Sequence, residues 1–252
     1  MEVEKKNKVY GLLGRAIGYS FSRRYFIEKF EKLEIDDSEY VNFDIPSIED
    51  FPTVIKKQQA QLHGMNVTIP YKQEVIPFLD KLDKTAKKIG AVNTIKFTKK
   101  GLLKGYNTDV VGFENSLTPF LKNHHKRALI LGTGGASKAI AFSLKRLGIK
   151  YRFVSRNPLK KKEISYDSIT EKTMKNYTIL INSSPVGTFP DVHLMPQIPY
   201  IWITDQHLLF DLIYNPSETS FLKEGKKKGA AIKNGLQMLE LQAEESWRIW
   251  NQ

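Results

Sequence analysis

The run Gly132-Thr133-Gly134-Gly135-Ala136-Ser137 constrains this chain more than any other feature. It follows a short apolar stretch, Arg127–Leu131, that reads as a strand. Beyond it, Ala136, Ala139, Ile140, Leu144 and Leu147 recur at the spacing of a helix. Strand, glycine turn and helix in that order are what a dinucleotide-binding unit requires. Gly132 permits the tight turn. Gly134 lets the backbone approach a pyrophosphate, and the N–H groups at Gly135 and Ala136 open a helix whose positive end faces the phosphates. The third position of the fingerprint holds Ser137 rather than Gly or Ala. Serine is still small enough for a helix to pack closely on a strand.

A second strand is expected at 151–154, followed by Ser155 and Arg156. An enzyme that uses NAD places a carboxylate about 20 residues past the glycine turn, where it grips the ribose 2′-hydroxyl. This chain has none there. It has Arg156, with Lys160, Lys161 and Lys162 close behind. A carboxylate repels a 2′-phosphate, whereas a guanidinium binds one in a bidentate fork. The cofactor expected is therefore NADP(H), with Ser155 and Arg156 at its adenosine end.

Elsewhere strand and helix patterns alternate, which predicts the layering of an α/β protein. Strands are expected at 8–14, 40–45 and 63–69, the last stopped by Pro70. Helices are expected at 22–33, with Ser22 as N-cap and Tyr25, Phe26, Phe30 and Leu33 as its apolar face, at 48–58, and at 71–82 with a bend at Pro77. The stretches 91–97 and 102–108 flank a Lys-Lys-Gly turn and read as a hairpin, followed by a helix over 110–121. The polar segment 122–126, with His124 and His125, reads as an exposed linker at the edge of a domain boundary.

Composition narrows the chemistry. The chain has no cysteine, so thiolate catalysis, disulfides and zinc ribbons are excluded. Its five histidines fall into no metal-ligand spacing, and no metal is expected. No apolar run approaches the roughly 18 residues of a membrane span, and residues 1–6 are charged rather than signal-like. A cytoplasmic protein with no membrane partner fits these features. The net charge of +12 comes from lysines scattered over predicted helices and turns. They are not interleaved with aromatic residues as a base-stacking surface would be, so no nucleic-acid partner is expected. A positive field does help to gather a small anionic substrate.

Six ordered blocks carry a resemblance to the shikimate dehydrogenase family. They are Gly18-Tyr19-Ser20-Phe21-Ser22, Asn66-Val67-Thr68-Ile69-Pro70-Tyr71-Lys72, Gly90-Ala91-Val92-Asn93-Thr94, Gly105-Tyr106-Asn107-Thr108-Asp109, Ile181-Asn182-Ser183-Ser184-Pro185-Val186-Gly187 with Asp211-Leu212-Ile213-Tyr214-Asn215-Pro216 after it, and Asn234-Gly235-Leu236 running on to Gln242. The resemblance implies two α/β domains with a cleft between them: a substrate-binding and catalytic domain with a mostly parallel sheet at 1–109, completed by a helix at 236–252, and a Rossmann-like NADP-binding domain at 110–235. It implies that Ser20 and Ser22 hold the substrate carboxylate. It implies that Asn66, Thr68 and Asn93 meet ring hydroxyls, and that Tyr214 and Gln242 reach the substrate. Asn182 and Gly235 are implied to lie beside the nicotinamide, and Lys72 and Asp109 to be catalytic. The family usually has His before the first serine and Pro after the second; here those positions hold Tyr19 and Arg23.

The reaction so implied is the reversible reduction of 3-dehydroshikimate to shikimate with NADPH, a step toward chorismate and the aromatic amino acids, by a monomer or homodimer. Two readings stay open beside it: a dual quinate/shikimate dehydrogenase, and a non-catalytic binding paralogue on the same scaffold. A methylenetetrahydrofolate dehydrogenase would place a tyrosine further ahead of the lysine than Tyr71 stands from Lys72.

Overall fold

The computed structural model describes residues 8–18, 20–58 and 61–252; Tyr19 and the charged stretch 1–6 lie outside the described residues. The chain divides into two compact units, Met1–Thr108 with Ala243–Gln252, and Asp109–Gln242.

The first unit is built on a six-stranded sheet. β1 (Lys8–Gly14) lies between its parallel neighbours β2 (Ser38–Asp44) and β3 (Leu62–Val67), and the crossovers carry α1 (Phe21–Lys32) and α2 (Phe51–Gln58). Then follow β4 (Lys81–Leu82), α3 (Lys84–Ile89), β5 (Thr94–Phe97) and β6 (Leu103–Tyr106). β5 runs antiparallel to β3 and β6, β4 parallel to β6, and the order is β2-β1-β3-β5-β6-β4. Side chains on β1 alternate, as a strand covered on both faces demands. Val9 and Leu13 enter one apolar cluster; Tyr10 and Leu12 enter another, with Phe26, Phe30 and Trp250.

The second unit opens with α4 (Asp109–Leu117) and then alternates: β7 (Arg127–Leu131), α5 (Gly135–Arg146), β8 (Lys150–Val154), β9 (Glu163–Ile164), α6 (Glu171–Asn176), β10 (Ile179–Asn182), β11 (Leu208–Asp211), α7 (Ser220–Lys227), β12 (Ala231–Lys233) and α8 (Leu236–Trp250). Every pairing is parallel and the order is β12-β11-β10-β7-β8-β9. Numbered from β7, that is the 3-2-1-4-5-6 arrangement of the doubly wound dinucleotide fold. Its inner strands β10 and β11 are buried at every residue, as strands covered on both faces are.

Several expectations needed correction. No α-helix forms over 71–82. The chain there makes successive turns, a short 3-10 segment at Ile76–Phe78, and β4. Pro77 has no N–H to give to a helix, and the turns are closed by local bonds such as Val75 N to Tyr71 O at 3.0 Å and Phe78 N to Val75 O at 3.0 Å. α1 is capped by Ser20, which accepts from Arg23 N at 3.2 Å; Ser22 is buried in the first turn and Leu33 is exposed. The units part at Thr108, not near 122–126.

His125 is buried at 4% exposure rather than linker-like. Its Nδ1 accepts from Lys122 N at 3.0 Å, and Nε2 of His124 and of His125 reach the Gln206 carbonyl at 3.0 and 3.3 Å. α8 divides between the units: Met238 packs in the second, and Ala243–Gln252 belong to the first. Among the described residues no helix is long and apolar enough to cross a membrane, and no group of three or more His, Asp or Glu could hold a metal ion.

Candidate active site

In the first unit Ser20 and Ser22 follow the carboxyl end of β1, and Thr68 and Lys72 follow that of β3, the edge at which ligands of open α/β sheets bind. The loop after β1 is tied down by the end of β2. Asp44 accepts from Ala16 N at 2.9 Å and Ile17 N at 3.2 Å, and Asn42 Nδ2 donates to Ile17 O at 3.0 Å. Ala16 sits there in the left-handed region at φ 56°. This loop delivers Ser20 and Ser22.

Past β3, Thr68 N donates to Leu13 O at 2.9 Å, and Tyr71 sends its hydroxyl to Ile45 O at 2.7 Å. Lys72 follows, half-buried, with its carbonyl held by Val92 N at 2.7 Å. Thr68 is half-buried, whereas Asn66 and Asn93 are 3% and 2% exposed. Both asparagines belong to one buried polar network with Tyr40, Thr94, Thr108 and Ser246. None of those four partners was singled out from the sequence. Ser246 alone had a local signal, because it lies one helical turn beyond Gln242 on the same face of α8. Asn107 donates to Ala91 O at 3.0 Å and so pins the segment that runs through Asn93 into β5.

In the second unit the glycine turn lies at the carboxyl end of β7, beside the point where strand order reverses. Gly132 has φ +114°, a conformation that L side chains rarely adopt, and donates to Val154 O at 3.0 Å. Gly134 is different. It is the N-cap of α5 with φ −71°, and a Cβ built there meets nothing within 4 Å. The protein's own packing does not need glycine at Gly134, so what the missing side chain leaves open is room for a ligand against the backbone. Gly135 and Ala136 open α5 beside that room. Ser137 is 1% exposed and donates to Gly134 O at 2.6 Å, which fixes the turn from inside. Arg156 is exposed just beyond β8, near Tyr166, and Ser155 Oγ accepts from Asn157 N at 3.2 Å. This cradle fits a pyrophosphate, and the cation after β8 fits a further phosphate.

The ends of β10 and β11 are locked together. Asn182, fully buried, donates to Asp211 Oδ1 at 3.0 Å and to Val186 O at 3.2 Å, and accepts from Ser184 N at 3.1 Å and Ser184 Oγ at 2.7 Å. Its side chain therefore shapes the 183–187 loop. Asp211 also accepts from Ile213 N at 3.0 Å and Thr219 Oγ1 at 2.6 Å. Burial pushes this carboxyl up to about 6, against the pull of those bonds. A side chain at Gly235 would collide with Leu212 O, so the backbones after β11 and β12 can approach only with glycine there. Tyr214 is half-buried, and burial raises its pKa. Asp109, the first residue of α4, and Gln242 on α8 are 5% and 7% exposed.

A glycine turn of this shape, in a sheet of this order, makes the chain one of the dinucleotide-binding α/β proteins. Its likenesses to known proteins are narrower than that class. Residues 12–95 match the shikimate dehydrogenase substrate binding domain. The shikimate dehydrogenase (NADP(+)) of Caldanaerobacter subterraneus subsp. tengcongensis is 38% identical over 99% of this chain and 94% of its own length. The crystal structure of shikimate dehydrogenase from Aquifex aeolicus superposes with a TM-score of 0.86 at 32% identity, covering 100% of this chain and 94% of that one. Shikimate 5-dehydrogenase from Thermus thermophilus, solved in complex with NADP(H) and shikimate, has a TM-score of 0.85 at 29% identity over 96% of this chain and 93% of that one. The chain belongs to the shikimate dehydrogenase family.

Proposed function

We propose that this chain is an NADP-dependent shikimate dehydrogenase, interconverting 3-dehydroshikimate and shikimate on the route to chorismate and the aromatic amino acids. The observation that carries the reading is the likeness, over nearly the full length of both chains, to a shikimate dehydrogenase (NADP(+)). In this reading the first unit supplies most of the residues that meet the substrate, and the second unit holds NADP(H) at Gly132, Gly134, Gly135 and Ala136. Ser155 and Arg156 take the 2′-phosphate. Asn182 and Gly235 shape the nicotinamide end, Asn182 through the loop it organises.

Ser20 and Ser22 receive the substrate carboxylate. Two hydroxyls delivered by one loop and the first turn of α1 can both donate to a single carboxylate. Thr68 and Asn93 meet ring hydroxyls, and Tyr214 and Gln242 complete the set. NADPH supplies the hydride. Reduction of the ring carbonyl leaves negative charge on its oxygen, and Lys72 with Asp109 handles the proton that neutralises it. In the reverse direction the same pair removes that proton from the hydroxyl. The net charge of +12 suits an anionic substrate and an anionic cofactor. A cytoplasmic monomer or homodimer, without nucleic-acid or membrane partners, completes the proposal.

The test is an initial-rate assay of shikimate and of quinate, each with NADP+ and with NAD+. Turnover is expected with shikimate and NADP+. Faster turnover of quinate would reassign the substrate, and no turnover of either would leave a binding protein.

A further inference from the structure

Asn66 stands in the block that leads to Lys72, and the family resemblance hands it to the substrate. Its surroundings point elsewhere. The residue is 3% exposed, and the protein itself engages both ends of its amide. Oδ1 accepts from the Tyr40 hydroxyl at 2.8 Å. Nδ2 donates to Ser246 Oγ at 3.0 Å and lies 3.3 Å from both Thr94 Oγ1 and Asn93 O. A primary amide has two N–H donors, and here three protein acceptors surround them.

We propose that Tyr40, Asn66 and Ser246 form a positioning cluster for the substrate pocket, which orients Asn93 and does not touch the substrate. Ser246 is the junction. It is fully buried on α8, 2.8 Å from Thr94 Oγ1 and 3.3 Å from Thr108 Oγ1. Those two threonines in turn hold Asn93. Asn93 Oδ1 accepts from Thr108 N at 2.7 Å, Thr94 Oγ1 at 3.1 Å and Thr108 Oγ1 at 3.2 Å. A flipped Asn93 amide would set its NH2 group against the Thr108 N–H, two donors face to face, so the flip is forbidden. The amide is thereby held in one orientation, with Nδ2 donating to Thr108 Oγ1 at 3.0 Å, and it is this orientation that the proposed substrate contact of Asn93 requires. The cluster also reaches the carboxylate side, because Ser22 interacts with the Tyr40 hydroxyl. One buried hydrogen-bonded patch thus stands behind two residues assigned to opposite ends of the substrate.

This inference deepens the shikimate dehydrogenase reading and rests on it. The variants are Tyr40→Phe and Ser246→Ala, each losing one hydroxyl. Tyr40→Phe keeps a ring stacked on Phe26, whose centroid is 4.7 Å away, and so should fold. The measurements are KM for shikimate, KM for NADP+, kcat and thermal melting. Each variant is expected to raise KM for shikimate about tenfold, the scale of a buried polar group left unpaired, with KM for NADP+ unchanged. A merely structural role would lower the melting temperature and leave the ratio of the two KM values alone. In an Asn93→Ser background the two substitutions are expected to add little further, because they act through Asn93.

KM for shikimate unchanged in the folded Tyr40→Phe variant, or the full effect persisting without Asn93, would overturn the proposal. Wild-type turnover of shikimate alongside such a result would sink this inference alone. A wild-type chain that ignores shikimate would sink the functional reading with it.

Discussion

Trp250 occupies the space that a side chain on Gly64 would need. A Cβ at that glycine overlaps the indole, whose Nε1 donates to Ile95 O at 3.0 Å. The last turn of α8 is thereby seated on β3 and β5, and Gly64 is a packing glycine with an ordinary backbone conformation. Gly64→Ala is expected to destabilise the protein by about 1–3 kcal/mol, the usual cost of forcing extra volume into a close-packed site. Urea unfolding measures it, and an unchanged midpoint would show that the indole can move aside.

Gly134 should behave in the opposite way. Its φ and ψ, −71° and −176°, suit any L residue, and the space beside it is open. Gly134→Val is expected to cost no more than about 1 kcal/mol of stability, as a poorer helix cap. KM for NADP+ should nevertheless rise by roughly tenfold or more, equivalent to about 1.4 kcal/mol of lost binding. Melting curves and cofactor titration together separate the two effects.

Lys72→Met removes one of the two proposed proton carriers. A fall in kcat of ~10²–10⁴-fold is expected, with a far smaller rise in KM for shikimate. Near-normal turnover would take Lys72 out of the mechanism.

Arg156→Asp places a carboxylate where the ribose of NAD is gripped in related folds. The preference should swing from NADP+ toward NAD+, read as the ratio of kcat/KM for the two cofactors. A ratio that does not move would free Arg156 from the 2′-phosphate.

The buried histidines predict a loss of stability in acid. Burial pushes His125 down, helped by the neighbouring His124, and burial pushes His207 down as well. In the unfolded chain both titrate near ~6.5. Protons therefore bind the unfolded chain more tightly as pH falls through and below that value, so the contribution is intact above it and lost below it. Urea midpoints should drop between about pH 7.5 and 5.5, and the drop should be shallower in the double variant His125→Gln, His207→Gln.

The second unit was the more legible part of the sequence. The β7–turn–α5 unit declares itself because periodicity, glycine placement and chain order agree locally. The stretch 71–82 misled because Tyr71 and Val75 lie a helical turn apart and both are buried, while the turns that bury them follow from Pro70 and Pro77. β9 is only two residues long and carries no periodic signal. The positioning cluster was hidden for a different reason. Asn66 gets its partners from Tyr40 on β2 and Ser246 on α8, and no local pattern foretells that a polar residue will be saturated by the far end of the chain. The motif named the neighbourhood of the site, and only the contacts separated residues that face outward from those that brace them.

The chain leaves the first unit at Thr108 and returns to it at Ala243. During synthesis, the sheet from β7 to β12 can therefore close on itself while one face of the first sheet still lacks Trp247 and Trp250. The earlier-made unit must wait, with Tyr10, Phe26 and Phe30 uncovered, for the segment that emerges after it. The last segment to be made is thus the one that completes the core of the first unit.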